Sequence, residues 1–137
     1  MSKNELTLRF LNKKDYKTIC EWWKWWRWPV IPKEMLPDNG KSGFIVEKNN
    51  IPIVSCFLFI TNSNWAKLEW VVSNPKYKEE DRQEAIELLI NNVENVCKKM
   101  GIKYMFSVGR NKHLLDTHKK LGWFIDPKQS HEITKKI

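Results

Sequence analysis

The sequence predicts an α/β (α+β) fold in which a mixed, mostly antiparallel sheet of six to seven strands is flanked by helices. Two observations predict it. Segments with apolar residues at every second position alternate with segments whose apolar residues recur every three or four positions, and turn-forming residues separate them. A length of 137 residues with 42% apolar and 29% charged residues suits one domain, which we expect to span residues 1–137.

The first strand and the first helix are predicted at the N-terminus. Residues Glu5–Leu11 alternate between apolar and polar side chains, as in a half-buried strand. Asn12 can then cap a helix, with Asp15 three residues further on in a variant of the capping box. Apolar residues follow at helical spacing as far as about Trp26, and Pro29 prevents any continuation.

Three consecutive strands are predicted in the middle of the chain, at Phe44–Glu47, at 51–60 and at 66–73. The turn-forming segments "NN" and "TNSNW" separate them, so that they form an antiparallel meander.

The last third of the chain predicts two helices and three strands. A long amphipathic helix covers Ala85–Met100 and ends at Gly101, a strand covers Ile102–Val108, and a second helix runs over Asn111–Leu121. "WFI" and "HEITKKI" are two final strand candidates. The predicted order is therefore β, α, β, β, β, α, β, α, β, β.

Composition and spacing narrow the choice of function. The net charge of +8 favours anionic partners, but the lysines are spread along the chain, so a solvated basic surface and a nucleic-acid-binding surface both remain open. No apolar run is long enough to cross a membrane, and three distant cysteines indicate reduced core residues; we expect a cytoplasmic protein. No histidine or cysteine pair has metal-ligand spacing, so no metal site is predicted.

The order of elements, together with two motifs, resembles the GNAT acetyltransferase superfamily. "NKHLLDTHKKLGWF" is similar to its closing motif, with Asn111, Leu121, Gly122 and Trp123 at the family spacing, and "WVVSNPKY" is similar to the end of its fourth strand. The resemblance implies that strands four and five, at Leu68–Ser73 and Ile102–Val108, run parallel and splay apart.

The same resemblance implies acetyl-CoA as cosubstrate, held in the wedge between these two strands. Main-chain groups of Val71, Val72 and Ser73 would bond the pantetheine arm, Asn111 would lie close by, and the next helix would offer its positive N-terminus to the diphosphate.

The predicted phosphate loop departs from the family pattern. The family has a glycine-containing loop here, whereas residues Tyr77–Ile86 contain no glycine. Glu79, Glu80 and Asp81 favour the start of a helix but oppose a bound diphosphate. Three basic side chains could restore positive potential at this end: Lys76, Lys78 and Arg82.

Two residues are candidates for the chemistry of acetyl transfer. In the family, the proton donor is usually a tyrosine seven residues after the asparagine. His118 occupies that position here, and an imidazolium could protonate a thiolate. Glu69, between Leu68 and Trp70 and on one face with Val71 and Ser73, is the candidate base. The alternatives are an exposed helix residue for His118 and a solvent-facing strand residue for Glu69.

Five of the eight tryptophans lie in "EWWKWWRWP", residues 21–29. Ile19, Trp23 and Trp26 form one helical stripe that should face the core. Trp22, Trp25 and Trp28 lie off that stripe, and the resemblance implies that they border the channel of the acceptor, where aromatic rings suit a flat, apolar or cationic molecule. The alternative is that all five rings form a thick core or a dimer contact.

The resemblance thus implies an N-acetyltransferase that moves an acetyl group from acetyl-CoA to an amine of a small molecule or a protein lysine, and we expect a monomer or homodimer. Two other functions stay open. One is a catalytically silent GNAT fold that binds or regulates another protein. The other is nucleic-acid binding through a basic, tryptophan-rich surface.

Overall fold

The computed structural model describes residues 5–137, so the first four residues of the predicted domain lie outside the described part. Among these residues five strands form one sheet in the order β1-β2-β3-β4-β5. The strands and helices are β1 (Thr7–Phe10), α1 (Asp15–Trp25), β2 (Gly43–Lys48), β3 (Ile51–Ile60), β4 (Trp65–Ser73), α2 (Arg82–Lys99), β5 (Tyr104–Ser107) and α3 (Lys112–Lys120); two short 3-10 turns, Lys33–Met35 and Pro37–Gly40, lie between α1 and β2.

The predicted mixed α+β fold is confirmed, and so is the predicted direction of its strands. Strands β1 to β4 pair antiparallel, whereas β4 and β5 pair in parallel.

The prediction of six to seven strands is wrong, because residues 123–125 and 131–137 form no strand. Phe124 and Ile133 stay 87% and 92% exposed, so these segments bury too little apolar surface to offset the entropy of ordering them. Pro127 also lies between the two segments, and β5 offers only four residues as a pairing partner.

Two apolar clusters cover the two faces of the sheet. On one face, α2 packs its buried side chains, among them Leu89, Ile90 and Val93, against β2, β3 and β4, and half-buried residues of α3 join them. On the other face, α1 packs Ile19, Trp22 and Trp23 against Ile45, Phe57 and Val72. Each helix therefore buries one apolar stripe, as expected for a sheet covered on both sides.

Arg9 fixes the position of α1 relative to the sheet. Its guanidinium donates to both carboxylate oxygens of Asp15, at 2.7 and 2.9 Å, and to Glu47 at 3.0 Å. Helix α1 has no side-chain cap: Asn12 donates its amide to Asp15 and accepts the amide of Lys14, so the predicted capping box is only half formed.

A β-bulge interrupts β4 at Trp70 and Val71. Ser55 pairs with Val72 and Phe57 pairs with Glu69, so two residues of β4 lie opposite Cys56 alone, and Trp70 has φ of 51°. The bulge shifts the alternation of side chains beyond it. The predicted face shared by Glu69 and Val71 is therefore wrong: Val71 packs on the α2 side of the sheet, whereas Glu69 lies beside Phe57 on the α1 side.

Candidate active site

Strands β4 and β5 form a fork. They pair from Trp65 and Tyr104 as far as Leu68 and Ser107, where β5 ends, while β4 continues through the bulge to Ser73 with no β5 partner. Main-chain groups along the free edge of β4 therefore face a gap and can bond another molecule. This fork is where the sequence resemblance placed the donor.

Glu69 lies at the apex of the fork. It is only 5% exposed, its Oε1 accepts the main-chain N–H of Val108 at 3.2 Å, and the ammonium of Lys67 is 3.8 Å away. Burial raises the pKa of Glu69, although Lys67 and the Val108 amide act in the opposite direction. The alternative of a solvent-facing strand residue is wrong. A buried carboxylate with a raised pKa is suited to take a proton from an amine.

The three residues predicted to bond the donor arm have different surroundings. Val71 and Val72 are buried on opposite faces, so only their main chain is available at the fork. The carbonyl of Ser73 accepts the indole N–H of Trp26 at 2.9 Å. The sequence placed Trp26 in the core stripe, but α1 ends at Trp25 and the ring instead crosses to the end of β4.

The loop before α2 leaves the first amides of the helix without a side-chain cap. Asp81 does not cap α2; its carboxylate accepts the Tyr77 hydroxyl at 2.5 Å and pairs with Lys48 at 2.6 Å. Both contacts lower the pKa of Asp81, and the contact with Lys48 lowers it most.

Lys76 and Lys78 are exposed and Arg82 is half-buried, so an anion in solvent can reach these cations. Glu79 and Glu80 are exposed in the same loop and oppose it.

Side chains of α2 and α3 join the two helices in a contact that the sequence did not predict. Gln83 accepts a hydrogen bond from His113 Nε2 at 2.6 Å and donates to Thr117 and Glu87, both at 3.0 Å. Lys120 pairs with Glu87 at 3.1 Å. We call these five residues the α2–α3 clasp. Helical spacing shows that the clasp residues of each helix share one face. Only the packing of the two helices shows that these faces meet.

Asn111 is occupied in capping α3. Its side-chain oxygen accepts the amides of His113 at 2.8 Å and Leu114 at 3.3 Å, the ordinary role of an N-cap asparagine. The asparagine of the sequence motif thus has a structural reason to be there.

His118 is buried, so the alternative of an exposed helix residue is wrong. Its Nδ1 lies 2.9 Å from the carbonyl of Leu114, which can only accept, so Nδ1 carries the proton. Burial lowers the pKa of His118, the ring packs edge-to-face on Trp123, and Nε2 is buried without a hydrogen-bond partner among the described residues. A neutral ring of this tautomer accepts at Nε2 and has no proton to give there.

The structure does not bring His118 and Glu69 together. His118 lines a cavity of about 580 Å³ between β5, α3, the C-terminal half of α2 and residues 122–126, and no residue of β4 lines it. Glu69 lies on the other face, where β4 meets the α1 side of the sheet.

The tryptophans divide differently from the prediction. Trp22 is buried beside Ile19 and Trp23, because the buried stripe of α1 runs through Asp15, Ile19, Trp22 and Trp23. Its predicted place in the acceptor channel is therefore wrong. Trp25 and Trp28 are 58% and 39% exposed, and Trp25 packs edge-to-face on Trp26, which contacts the end of β4. Through Trp26, the exposed ring of Trp25 therefore lies near the end of β4, and Trp28 is exposed just after α1.

Residues 5–137 show neither a metal-binding cluster nor a membrane-spanning helix. Within this range no group of three or more histidine, cysteine, aspartate or glutamate residues is arranged to hold a metal ion. Likewise, none of the helices described is both long and apolar enough to span a bilayer.

Solved structures with the same architecture identify the fold. The ribosomal-protein-S18-alanine N-acetyltransferase from Escherichia coli superposes with a TM-score of 0.70 at 15% identity, over 86% of this chain and 77% of that one. An aminoglycoside acetyltransferase from an uncultured soil metagenomic sample has a TM-score of 0.66 at 10% identity, over 96% and 97% of the two chains.

A third structure is the N-acetylglutamate synthase from Neisseria gonorrhoeae in complex with coenzyme A and L-arginine. It superposes with a TM-score of 0.69 at 13% identity, over 85% of this chain but only 27% of the synthase. The chain has the GNAT acetyltransferase fold. No protein-family model and no curated protein sequence matches it, so the GNAT fold is recognised from the structure.

In a GNAT fold, the gap between β4 and β5 is the place that the sequence resemblance assigned to the donor. The departures from the GNAT sequence pattern are equally concrete: a glycine-free loop, a neutral histidine facing another cavity, and the α2–α3 clasp.

Proposed function

We propose that this protein is an N-acetyltransferase that moves an acetyl group from a pantetheine thioester, of which acetyl-CoA is the common form, to an amine of a small molecule or a protein. The observation that carries the proposal is the buried carboxylate of Glu69 at the apex of the β4–β5 fork. A carboxylate buried where two paired strands part, with one main-chain amide and one lysine near it, is a candidate for a chemical role.

Glu69 would act as the base. It takes the proton that the amine loses as its nitrogen attacks the thioester carbonyl; the new bond is C–N and the broken bond is C–S. The thiolate that leaves has a pKa of about 8.5 for an unperturbed thiol, so water can protonate it and no acidic side chain is needed. This proposal therefore gives no proton-donating role to His118.

The residues fit only part of acetyl-CoA. The free edge of β4 suits the amides of the pantetheine arm, and acetyl-CoA would supply the acetyl group as a thioester. The nucleotide end fits poorly: the clasp joins the first turns of α2 and α3, and Glu79 and Glu80 lie in the loop expected to hold the diphosphate. Lys76, Lys78 and Arg82 are the cations that could meet a phosphate group there.

The acceptor would approach on the α1 side of the sheet, where Glu69 and the exposed Trp25 and Trp28 lie. The three similar enzymes are named for a ribosomal protein, for aminoglycosides and for N-acetylglutamate, so the shared fold does not select one acceptor.

Mass spectrometry tests this proposal directly. The protein is incubated with acetyl-CoA or acetyl-pantetheine and a panel of amino acids, aminoglycosides and peptides, with Glu69→Gln as the matched variant. We expect acetylation of at least one amine and a slower reaction for Glu69→Gln. If no amine is acetylated from either donor, the catalytically silent GNAT fold, which the clasp and the glycine-free loop favour, replaces this proposal.

A further inference from the structure

The path of a nucleotide through the fork determines which donors fit. A donor whose thioester lies near Glu69 and whose diphosphate lies at the first turn of α2 must leave the fork between α2 and α3. Both helices begin at the open end of the fork, since α2 follows β4 and α3 follows β5.

The α2–α3 clasp joins the two helices near their first turns. Gln83 and His113 lie in the first turns of the two helices and are joined at 2.6 Å. All polar atoms of the Gln83 side chain are bonded, its oxygen to His113 and its nitrogen to Thr117 and Glu87. These bonds lie at the surface, and a chain of atoms that passes between the first turns of the two helices has to displace them.

Carboxylates also lie at this gap, beside the cations Lys76, Lys78 and Arg82 and the Glu87 partner Lys120. The hydrogen bond from Gln83, and then the ion pair with Lys120, lower the pKa of Glu87, so this carboxylate is ionised. Glu84 is exposed in the first turn of α2, and Glu79 and Glu80 are exposed just before it. A pantetheine arm carries no charge, and a phosphopantetheine arm carries a single phosphate group.

We propose that the acyl donor is a pantetheine thioester without the adenosine diphosphate part, either free or as the phosphopantetheine arm of a carrier protein. This inference rests on the proposed function. The group transfer is unchanged: the amine nitrogen bonds the acyl carbon, the C–S bond breaks, Glu69 takes the proton of the amine, and the pantetheine thiolate takes a proton from water. Only the part of the donor outside the fork differs.

Calorimetry with three unreactive thiols tests this inference on the unmodified protein: pantetheine, 4′-phosphopantetheine and coenzyme A, under reducing conditions because Cys20, Cys56 and Cys97 are free. We expect coenzyme A to bind about tenfold more weakly than 4′-phosphopantetheine, a difference of about 1.4 kcal/mol. If coenzyme A binds as tightly or more tightly, the inference is overturned while the proposed function stands. If none of the three binds, both fail.

Variants of the clasp provide an independent measurement. Gln83→Ala should tighten the binding of coenzyme A and leave that of pantetheine unchanged, because only the longer ligand must pass the gap. Asp116→Ala is the matched control: it removes an exposed ion pair with Lys112 on α3, at 3.1 Å, that does not reach α2. Equal effects of the two variants on coenzyme A, or no effect of Gln83→Ala, would contradict the inference.

The source of the arm is decided by rates. Acetyl-pantetheine and an acetylated carrier protein are compared as donors to the same amine at equal concentration. Faster transfer from the carrier protein assigns the protein-bound arm, and equal or faster transfer from acetyl-pantetheine assigns the free thioester. Either result supports the inference when acetyl-CoA is slower, and a faster reaction with acetyl-CoA overturns it.

Discussion

The buried carboxylate of Glu69 suits the proposed chemistry but lowers the stability of the folded protein when it is ionised. Its pKa is higher in the folded protein than in the unfolded chain, chiefly because the carboxyl is buried. The folded state therefore binds the proton more tightly, and its stability falls as pH rises through the raised pKa. A residue kept under this cost is a candidate for function more than for structure.

Glu69→Gln should separate these two effects. Glutamine keeps an oxygen that can accept the Val108 amide but has no charge to bury, so we expect Tm to rise by a few degrees at pH 7. The gain should vanish below about pH 4, where the carboxyl is protonated in both states. Acyl transfer should fall roughly 10²-fold, the usual contribution of a positioned base. Thermal unfolding and rates at several pH values measure both; a variant that is less stable and fully active would refute the assignment.

His118→Phe tests whether the buried histidine has a chemical role. Phenylalanine keeps a ring against Trp123 and removes the unpaired Nε2, whose burial costs on the order of 1–3 kcal/mol. Because the pKa of His118 is lowered on folding, the parent loses stability as pH falls through the ordinary histidine value near 6.5. The Tm advantage of the variant should thus grow between pH 7.5 and pH 5, with transfer unchanged within twofold. A 10²-fold loss of transfer would show that His118 does act as the acid.

At the scale of elements, the sequence predicted the three α-helices and the five strands that residues 5–137 form, because their periodicities reflect local burial. It did not predict the β-bulge at Trp70, because a bulge is a property of the pairing between two strands and the residue pattern of one strand does not reveal it. Trp22 lies three residues after Ile19 and therefore joins its buried stripe, whereas Trp26 leaves the stripe because α1 ends at Trp25. The α2–α3 clasp depends on how two helices meet, and one sequence does not contain that information.

The start of β2 depends on a close approach between strands. A methyl group on Gly43 would overlap the carbonyl oxygen of Cys56 and come within 2.9 Å of a Leu11 side-chain carbon and 3.1 Å of the Phe57 Cα. Backbone atoms inside a paired sheet have little room to move.

Gly43→Ala should therefore lower the free energy of unfolding by about 3 kcal/mol, near the upper end for overpacked sites. Gly101→Ala is the control: it has φ of +79° but open space around it, so only the backbone penalty of about 1 kcal/mol applies. Urea unfolding measures both variants. If Gly43→Ala is no less stable than Gly101→Ala, the close packing of β2 on β3 is not as described.

For the molecule as a whole, the net charge of +8 contributes a long-range field that any anion meets first. Its exposed cations are distributed over several surfaces: Lys13 and Lys14 before α1, Lys76 and Lys78 before α2, and Lys119 in α3. A field of this kind raises the local concentration of anions without selecting among them. It is compatible with an anionic carrier protein and with nucleic acid, so the two need a test at this scale.

Salt dependence provides that test. If the basic surface binds nucleic acid only through its charge, a labelled duplex should bind weakly, with an affinity that falls steeply between 50 and 200 mM salt, because each phosphate contact releases a counterion. Trp25→Ala and Trp28→Ala should leave this affinity unchanged, since stacked bases would be needed for the rings to contribute. Fluorescence anisotropy measures both effects. Binding to a single strand that persists at 200 mM salt and is lost in either variant would instead make the exposed tryptophans a nucleic-acid platform, and nucleic-acid binding would then replace acyl transfer as the leading function.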